Sequence, residues 1–532
     1  MTRSRKNRLA VFVLCYIFAV LGGGMAPLLS QDAPNPDVRL VLLITVDQFR
    51  YDYLTRFRDE YSGGLDRLLR DGANFVNTNI DHYPTVTAIG HAGMVTGALP
   101  KLSGIVGNDW YEREAGHNVT SVEDGTEKLL GGSDAAGASP RRLLVSTISD
   151  ELKRAHSDSK VIGVSSKDRG AILPAGHMAD AAYWFDSGTG TMASSTYYFP
   201  VLPAWVRQFN TPGPAAQFAA KEWRFGDGAD GLLQMPAEAG RKLYGAVYGS
   251  PFANEILESF AEEAVRQEKL GQRGAMDFLS VSFSSNDVVG HSHGPDSPQV
   301  HDISIRTDRL LAKLFDFLDQ SIGMQHVLVA FTADHGVMPV PEVLRDNRMP
   351  GGRMSSSGLF DPIREALAAR FGPGKWIEGT AGTSPYFNLE LIRENKLDRA
   401  EVERVAAEAA EAIPQVARVY TRTQLLRGMV PDDAISQQIA RSYHPRRSGD
   451  LEIVLDSYWI RGDRGTTHGT PYVYDTHIPL IFMGPGIRAG RYVRPVALKD
   501  LAPSLATLMD VETPSGSEGR ALYEMMTAAA DR

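Results

Sequence analysis

The stretch Val38–Val46, VRLVLLITV, is the clearest strand signal in this chain of 532 residues. Its nearly continuous apolar character is typical of a strand that is buried on both faces of a parallel sheet. The run ends at Asp47. Two later runs, Asp277–Phe283 (DFLSVSF) and His326–Phe331 (HVLVAF), have the same character, and acidic residues follow each of them closely. We therefore predict three buried strands whose carboxyl ends carry polar and acidic side chains.

An amphipathic helix is predicted between the second and third of these strands, because apolar residues recur at helical spacing over 297–322. A strand, a helix and a strand in succession imply a parallel pair. A further buried strand is predicted at Ile478–Met483 and a C-terminal helix at Ala497–Met509. The predicted fold is α/β, with a doubly wound, mostly parallel central sheet and helices on both faces. Ligands of such sheets bind outside the carboxyl ends of the strands.

Two stretches interrupt this alternation. Residues 180–250 are rich in Gly, Pro, Ser and aromatic residues, and residues 345–460 contain a predicted helix (Asp398–Ile413) and a predicted strand (Asp450–Leu455) of their own. We interpret both stretches as insertions that form a cap over the carboxyl strand ends. Residues 31–532 then form one α/β domain with two insertions.

The first thirty residues predict a secretory signal peptide. Four basic residues within Met1–Arg8 precede the short apolar segment Leu9–Val20, and small residues follow up to Ser30. An uncleaved N-terminal anchor is the alternative, since no clean small-x-small cleavage site is visible. A lipoprotein is disfavoured, because Leu14 precedes Cys15 where a lipid-attachment box has a small residue. We expect a periplasmic or secreted protein without stable membrane insertion after signal removal.

The charge and cysteine content exclude several classes of partner and site. Loss of residues 1–30 removes four basic and no acidic side chains, so the formal net charge of −9 becomes −13. An acidic chain repels a polyphosphate backbone, so we predict no nucleic-acid partner. Cys15 is the only cysteine of the chain. The mature protein therefore has no disulfide and no zinc–thiolate site, and any metal must be held by His and carboxylate.

Six residues with metal-ligand chemistry follow the predicted strands or lie in a glycine-rich loop: Asp47, Asp287, His291, Asp334, His335 and His468. In NDVVGH, His291 lies four residues after Asp287, so one helical turn places both side chains on one face. Asp334 and His335 lie in TADHG, and His468 lies in TTHGT. Each motif alone is more often a capping or surface feature. Together, three Asp and three His suit two zinc ions with positions open for substrate.

A small-residue segment at 83–97, YPTVTAIGHAGMVTG, contains two threonines where a helix is predicted to begin. A hydroxyl at this place, and a bound phosphate, would both benefit from the helix N-terminus. Coordination to zinc would ionise a threonine hydroxyl, so Thr85 or Thr87 is a candidate covalent nucleophile. The alternative is an N-cap threonine.

This combination resembles the alkaline phosphatase superfamily, and more narrowly its secreted, phosphate-irrepressible alkaline phosphatases of the PafA type. The resemblance runs from TVDQFRYDYL near residue 45 to PSGSEGRAL near residue 514. It implies that Thr87 rather than Thr85 is the nucleophile. It also implies two zinc ions, the first held by Asp287, His291 and His468, and the second held by Asp47, Asp334, His335 and the Thr87 oxygen.

The resemblance gives roles to three more residues. Asn108 in GIVGNDWY matches an asparagine that donates to a phosphoryl oxygen, and Lys167 with Arg169 in SSKDRGAI match a cationic pair that grips the phosphoryl group. In an extended segment, residues 167 and 169 project to the same side, which would let both reach one dianion. The alternative interpretation of Lys167-Asp168-Arg169 is a solvated surface turn without a role in binding.

The cationic pair favours a phosphate monoester over a diester, because a diester has one fewer charged oxygen. The resemblance thus implies a zinc-dependent phosphomonoesterase that forms a phosphothreonine and releases inorganic phosphate, with Lys167 and Arg169 in the place of a third, magnesium site. We expect no Mg²⁺ and a monomer. A phosphodiesterase or nucleotide pyrophosphatase of the same superfamily is the alternative, and a catalytically inactive binding protein is an alternative from another class.

Overall fold

An eleven-stranded sheet forms the centre of the computed structural model, which describes residues 37–132, 136–226 and 231–527. Its five central strands are all parallel, and the antiparallel pairs lie towards the two edges. Helices surround this sheet, as predicted for the α/β class. The strands follow one another across the sheet in the order Gly490–Tyr492, Ala73–Phe75, Leu480–Met483, Val327–Thr332, Leu40–Val46, Asp277–Phe283, Val161–Ser165, Ala181–Asp186, Thr191–Ser195, Glu123–Leu130 and Ala136–Ala138.

The remaining elements are short strands and the helices that connect or cover the sheet. The α-helices span Tyr51–Arg56, Gly64–Asp71, Thr87–Thr96, Pro100–Ser103, Ile148–Ala155, Asp168–Ala175, Ala204–Asn210, Arg241–Tyr248, Pro251–Glu268, Ser285–His293, Pro298–Ser321, Pro341–Asp346, Ser356–Phe371, Leu389–Glu394, Arg399–Glu411, Arg422–Arg427, Ala434–Ser442, Val473–Thr476 and Leu501–Met509. The strands outside the central sheet span Thr78–Asn79, Asp109–Glu112, His117–Thr120, Glu222–Arg224, Leu232–Gln234, Gly352–Met354, Ile377–Ala381, Ser384–Phe387, Val416–Thr421, Leu451–Leu455, Trp459–Arg461, His477–Ile478 and Val496–Ala497.

The register of the central strands brings their carboxyl ends together. Leu40 lies opposite both Asp277 and Val327, and the pairing continues in step to the end of each strand. The three predicted strands are confirmed within two residues at their ends. The segments that follow them, with Asp47, Asp287 and Asp334, therefore start from one edge of the sheet.

The crossover helix is confirmed at Pro298–Ser321. Its start follows from the sequence: the Ser297 hydroxyl accepts from the Val300 N–H at 3.2 Å, and Pro298 occupies the first helical position, where no N–H is needed. Its buried residues Val300, Ile303 and Leu311 lie on one face.

The C-terminal elements differ from the prediction in detail. The predicted strand Ile478–Met483 is divided at Pro479, which has no N–H to give to a sheet, and its longer part runs antiparallel to Val327–Thr332. The predicted helix Ala497–Met509 begins as an α-helix only at Leu501, after one 3₁₀ turn.

Part of the first predicted insertion belongs to the sheet. The strand Ala181–Asp186 pairs in parallel with Val161–Ser165. On its other side, Ala181–Asp186 pairs antiparallel with Thr191–Ser195. The apolar run AAYWFD in this segment has strand character, which the overall Gly and Pro content of 180–250 concealed. The second stretch, 345–460, has a hydrophobic core of its own that includes Leu359, Trp376 and Val402. That both stretches act as a cap stays a prediction.

None of the helices in the described ranges is both long and apolar enough to cross a bilayer. The predicted signal peptide, residues 1–30, lies outside the described residues.

One buried carboxylate fixes the helix Gly64–Asp71 to the crossover helix, and its loss should destabilise the fold. Asp308 accepts four backbone N–H groups, from Ser62, Gly63, Leu65 and Asp66, at 2.7 to 3.3 Å. Asp308→Asn replaces one acceptor oxygen with an amide that faces N–H donors. We expect a loss of about 1–3 kcal/mol in unfolding free energy, measured by denaturant unfolding. Asp316→Asn, on the exposed face of the same helix, is the control and should unfold like the wild type.

Candidate active site

Three buried carboxylates lie together at the carboxyl edge of the sheet. Asp47 directly follows Leu40–Val46, Asp287 lies in the first turn of the helix Ser285–His293, and Asp334 lies two residues after Val327–Thr332. Each exposes 4% of its surface or less. Lys167 joins two of them, since its Nζ donates to Asp47 Oδ2 at 2.7 Å and to Asp287 Oδ2 at 2.6 Å.

Two imidazoles face one of these carboxylates. The Nε2 atoms of His291 and His468 lie 3.2 Å apart, and they lie 3.2 and 3.5 Å from Asp287 Oδ1. On the far side of each ring, Nδ1 lies 2.7 Å from a backbone carbonyl oxygen, of Thr466 and Thr85 respectively. A carbonyl only accepts, so each Nδ1 carries the proton and donates it.

This arrangement fits a cation. With Nδ1 protonated in both neutral rings, the two Nε2 lone pairs and the Asp287 oxygen all face one another, which is unfavourable unless a positive charge lies among them. Two imidazole nitrogens and a carboxylate oxygen suit zinc better than magnesium, which prefers oxygen ligands. Asp287, His291 and His468 are therefore a candidate metal group of the composition predicted from the sequence.

A second group of three has the same property. The Nε2 atom of His335 lies 3.5 Å from both Asp47 Oδ1 and Asp334 Oδ2, and its Nδ1 lies 3.0 Å from the Gly336 carbonyl oxygen. Both carboxylate oxygens are buried and accept no hydrogen bond. Unpartnered buried acceptors of this kind are what a bound cation would satisfy. The rings of His335 and His468 stack with centroids 3.5 Å apart, so the two groups adjoin each other.

The structure separates the two candidate threonines. Thr87 begins the helix Thr87–Thr96, and its Oγ1 lies 3.3 Å from His335 Nε2 and 3.4 Å from Lys167 Nζ. The Thr85 hydroxyl instead donates to the Thr470 carbonyl at 2.9 Å. Only Thr87 thus presents its hydroxyl to the group of carboxylates and imidazoles.

Asn108 lies at the start of the same helix. Its Oδ1 accepts the N–H of Ala88 at 2.8 Å, one of the helix-start donors that have no partner within the helix. This contact fixes which way the amide is oriented and leaves its NH₂ group as the donor. The hydroxyl of Thr87 and the amide of Asn108 are thus held by neighbouring residues of one helical turn.

The extended conformation predicted for residues 167 to 169 is wrong. The strand ends at Ser165, a helix begins at Asp168, and Lys167 occupies its N-cap position. Residues 167 and 169 therefore do not share one side of an extended segment, although Asp47 and Asp287 act to raise the pKa of both side chains. The Lys167 ammonium lies among the carboxylates, while the Arg169 guanidinium pairs with Asp168 at 3.6 Å. The structure brings Lys167 to Thr87, whereas the role of Arg169 stays a prediction.

Burial and neighbouring charges both act on the pKa values of the site. Burial and the neighbouring carboxylate Asp334 raise the pKa of Asp47 to about 6, against the effect of Lys167. Burial lowers the pKa of Lys167, but Asp287 and Asp47 together raise it by more, so Lys167 stays an ammonium ion. The site thus contains one fixed cation among three acids.

Comparison with known proteins shows the family to which the chain belongs. A family model described as type I phosphodiesterase / nucleotide pyrophosphatase matches residues 41–477. Alkaline phosphatase PhoV of Synechococcus elongatus is 36% identical over 514 residues, 92% of this chain and 93% of PhoV. A protein of Myroides odoratus named calcium-transporting ATPase is 34% identical over 545 residues, 97% of this chain and 98% of that protein. The crystal structure of wild-type alkaline phosphatase PafA superposes with a TM-score of 0.86 at 34% identity, over 93% of this chain and all of PafA.

The chain belongs to the alkaline phosphatase superfamily, among the PafA-type enzymes. The expected resemblance and the α/β fold are both confirmed.

Two residues of the site in this PafA-type enzyme were not predicted from the sequence. Gln48 donates from Nε2 to Asp287 Oδ1 at 2.6 Å and from its backbone N–H to Asp334 Oδ1 at 3.1 Å. It does so from a left-handed backbone conformation (φ 63°), which is uncommon outside glycine. His91, on the helix of Thr87, donates from Nδ1 to the Thr87 carbonyl at 2.9 Å, and that nitrogen lies 3.3 Å from Asp334 Oδ2. The only sequence signal for Gln48 was its position after Asp47.

A cavity of about 290 Å³ opens beside the site. Val86, Asn108 and His468 contribute to its lining, and so do many residues of the stretch 345–460. The second predicted insertion therefore contributes walls to a space that adjoins Thr87.

Gly290 provides room for Gln48, so a methyl group at this position should loosen the candidate metal site. A Cβ at Gly290 would lie 1.8 Å from Gln48 Oε1. Gly290→Ala should displace the Gln48 side chain from Asp287 without weakening the helix, since Ala is the better helix former. We expect the affinity for zinc, the metal predicted from the sequence, to fall by about 10- to 100-fold. The metal content that remains after dialysis against increasing chelator concentrations measures this change.

The control for this variant is Gly245→Ala, also within a helix, where a Cβ would meet nothing within 4 Å. Equal zinc retention in Gly290→Ala and the wild type would contradict the role given to Gln48.

Proposed function

We propose that this enzyme is a zinc-dependent phosphomonoesterase that acts through a phosphothreonine at Thr87. The observation that carries the proposal is the position of the Thr87 hydroxyl, 3.3 Å from His335 Nε2 and 3.4 Å from Lys167 Nζ, beside two groups of zinc-ligand chemistry. PhoV and PafA, to which the chain is similar over more than nine-tenths of its length, are named alkaline phosphatases. Their names favour a monoester substrate.

The zinc ligands we propose are those implied by the resemblance. Asp287, His291 and His468 hold one ion, and Asp47, Asp334, His335 and the Thr87 oxygen hold the other. Bound zinc supplies positive charge that polarises the phosphoryl oxygens and favours the ionised Thr87 hydroxyl. The unpartnered oxygens of Asp47 and Asp334 support this assignment.

The reaction has two displacements at phosphorus. Thr87 Oγ1 forms a bond to phosphorus, and the bond from phosphorus to the alcohol oxygen breaks, so the alcohol leaves and takes a proton. Water then attacks the phosphothreonine, the bond to Thr87 Oγ1 breaks, and inorganic phosphate leaves while Thr87 regains its proton. The Asn108 amide, Lys167 and Arg169 stabilise the non-bridging oxygens in both steps.

The family model carries the name of phosphodiesterases, so the diester is the competing substrate. Lys167 favours the monoester, because a buried ammonium 3.4 Å from the attacking oxygen gains most from the extra negative charge of a dianion. We further propose two zinc ions without Mg²⁺, action as a monomer, and export to the periplasm or medium by the segment 1–30.

Thr87 should be the residue that becomes phosphorylated. In Thr87→Val, acid quenching during turnover should trap no phosphoenzyme, while zinc content stays near that of the wild type, since six protein ligands remain. Thr85→Val, which removes a hydroxyl bonded to Thr470 instead, should still form the phosphoenzyme. A phosphopeptide mapped to Thr85 would contradict the assignment.

The cationic pair should control the preference for monoesters. The wild type should hydrolyse p-nitrophenyl phosphate far better than bis-p-nitrophenyl phosphate, and EDTA should abolish both activities. Lys167→Ala with Arg169→Ala should lower monoesterase kcat/KM by several orders of magnitude, since each charged contact contributes about 2–4 kcal/mol. Diester turnover should change little.

The single variant Arg169→Ala tests recognition of the phosphoryl group without removing a partner of the three buried carboxylates, because the ion pair of Arg169 is with Asp168. Parallel loss of both activities in the double variant, together with loss of zinc, would show that Lys167 holds the site together and does not select the substrate.

A further inference from the structure

The cavity beside the site extends from the phosphoryl-binding residues into the stretch 345–460. Val86, the neighbour of Thr87, and Asn108 line it. The hairpin that contains Ser384 and the strand Leu451–Leu455 also contribute to its walls. For a phosphate monoester whose phosphoryl group lies at Thr87 and Asn108, this cavity is an adjoining space that could receive the alcohol portion.

Glu452 lines this cavity as an acid without a basic partner. It exposes 7% of its surface, and one of its oxygens accepts from the Ser384 hydroxyl at 2.7 Å. Within the described ranges, no lysine, arginine or histidine forms an ion pair with it, and burial and Ser384 are the influences on its pKa. Arg461 also lines the cavity, but its guanidinium donates to the Gly382 carbonyl and to Ser356. A buried carboxylate without a counter-charge favours a cation beside it.

Three tyrosine rings line the cavity near Glu452. The hydroxyls of Tyr83, Tyr386 and Tyr443 donate to backbone carbonyls, of Ile453, Arg447 and Gly449 respectively. What these residues offer to the cavity is thus the ring and not the hydroxyl. Glu452 lies near enough to raise the pKa of each of the three. Aromatic rings around a carboxylate are a combination that binds organic cations.

We propose that this cavity binds a positively charged alcohol portion of the substrate, so that the enzyme prefers phosphate monoesters of amino or quaternary ammonium alcohols, with Glu452 as the counter-charge. The proposal rests on the phosphomonoesterase activity proposed above. The carboxylate attracts the ammonium group, and the rings of Tyr83 and Tyr443 contact its carbon atoms. The phosphoryl group stays at Thr87, so the charge is recognised at a distance from the reacting atoms.

The test compares two substrates of the same shape. Phosphocholine and its neutral carbon isostere, 3,3-dimethylbutyl phosphate, differ in one charge, and kcat/KM is measured for both by phosphate release at pH 8. The leaving alcohols differ in intrinsic reactivity, so the informative quantity is the change in their ratio between wild type and Glu452→Gln. We expect the wild type to prefer phosphocholine and Glu452→Gln to lower that ratio by about tenfold or more.

Glu452→Gln keeps the shape of the side chain and an oxygen that accepts from Ser384. Burial raises the pKa of Glu452 to about 7, so the ionised acid at pH 8 carries a desolvation cost that the variant removes. The Tm of the variant should therefore be no lower than that of the wild type. Glu390→Gln makes the same charge change at an exposed position of the same stretch and should leave the ratio unchanged.

The outcomes separate the two proposals. A wild-type preference that Glu452→Gln abolishes, while turnover of p-nitrophenyl phosphate stays within a few fold, supports the cation site. An unchanged ratio in Glu452→Gln with full turnover of p-nitrophenyl phosphate overturns the cation site and leaves the phosphomonoesterase in place. No phosphate release by the wild type from any monoester overturns both.

Discussion

Mutual repulsion among three buried carboxylates is the constraint around which the site is built. Asp47, Asp287 and Asp334 lie together because the parallel strands before them are paired in register. Such a group is stable only where positive charge is present. Lys167 supplies one fixed charge, and the imidazoles present unprotonated nitrogens to the remaining oxygens. The sheet therefore determines where the acids lie, and the acids determine which cations the site must hold.

The helix Thr87–Thr96 turns this charge arrangement into a site for chemistry. Its first residue directs a hydroxyl at His335 and Lys167, its second gives an N–H to Asn108, and its fifth, His91, lies against Asp334. Gly90 on the same helix packs so closely on Asp334 that a Cβ there would lie 2.3 Å from the Asp334 carbonyl oxygen. The helix that begins at Thr87, the proposed nucleophile, thus packs directly on a candidate metal ligand, so packing sets the position of the Thr87 hydroxyl.

The parts that the sequence predicted well are those determined by local pattern. Continuous apolar runs gave the central strands, and motifs such as NDVVGH placed Asp and His on one helical face. Gln48 could not be predicted, because its role depends on a left-handed backbone that brings one side chain to Asp287, 239 positions later in the chain. The helix Asp168–Ala175, which contains Arg169, was missed because K-D-R at its start has no apolar period. The strand Ala181–Asp186 was missed because composition was averaged over seventy residues that contain it.

The segment before Thr87, the proposed nucleophile, connects the stretch 345–460 to the candidate active site. Tyr83 donates its N–H to the Ser442 hydroxyl at 2.8 Å, and the Gln438 side chain donates to the His82 carbonyl, so the helix Ala434–Ser442 holds the approach to Thr87. The carbonyl of Thr85, two residues from the nucleophile, accepts from His468. Residues 82–87 are therefore fixed on one side by the walls of the cavity and on the other by a candidate metal ligand. Because one short segment carries both contacts, a change in the cavity wall should also shift the Thr87 hydroxyl, so the proposed substrate selection and the proposed nucleophile depend on the same contacts.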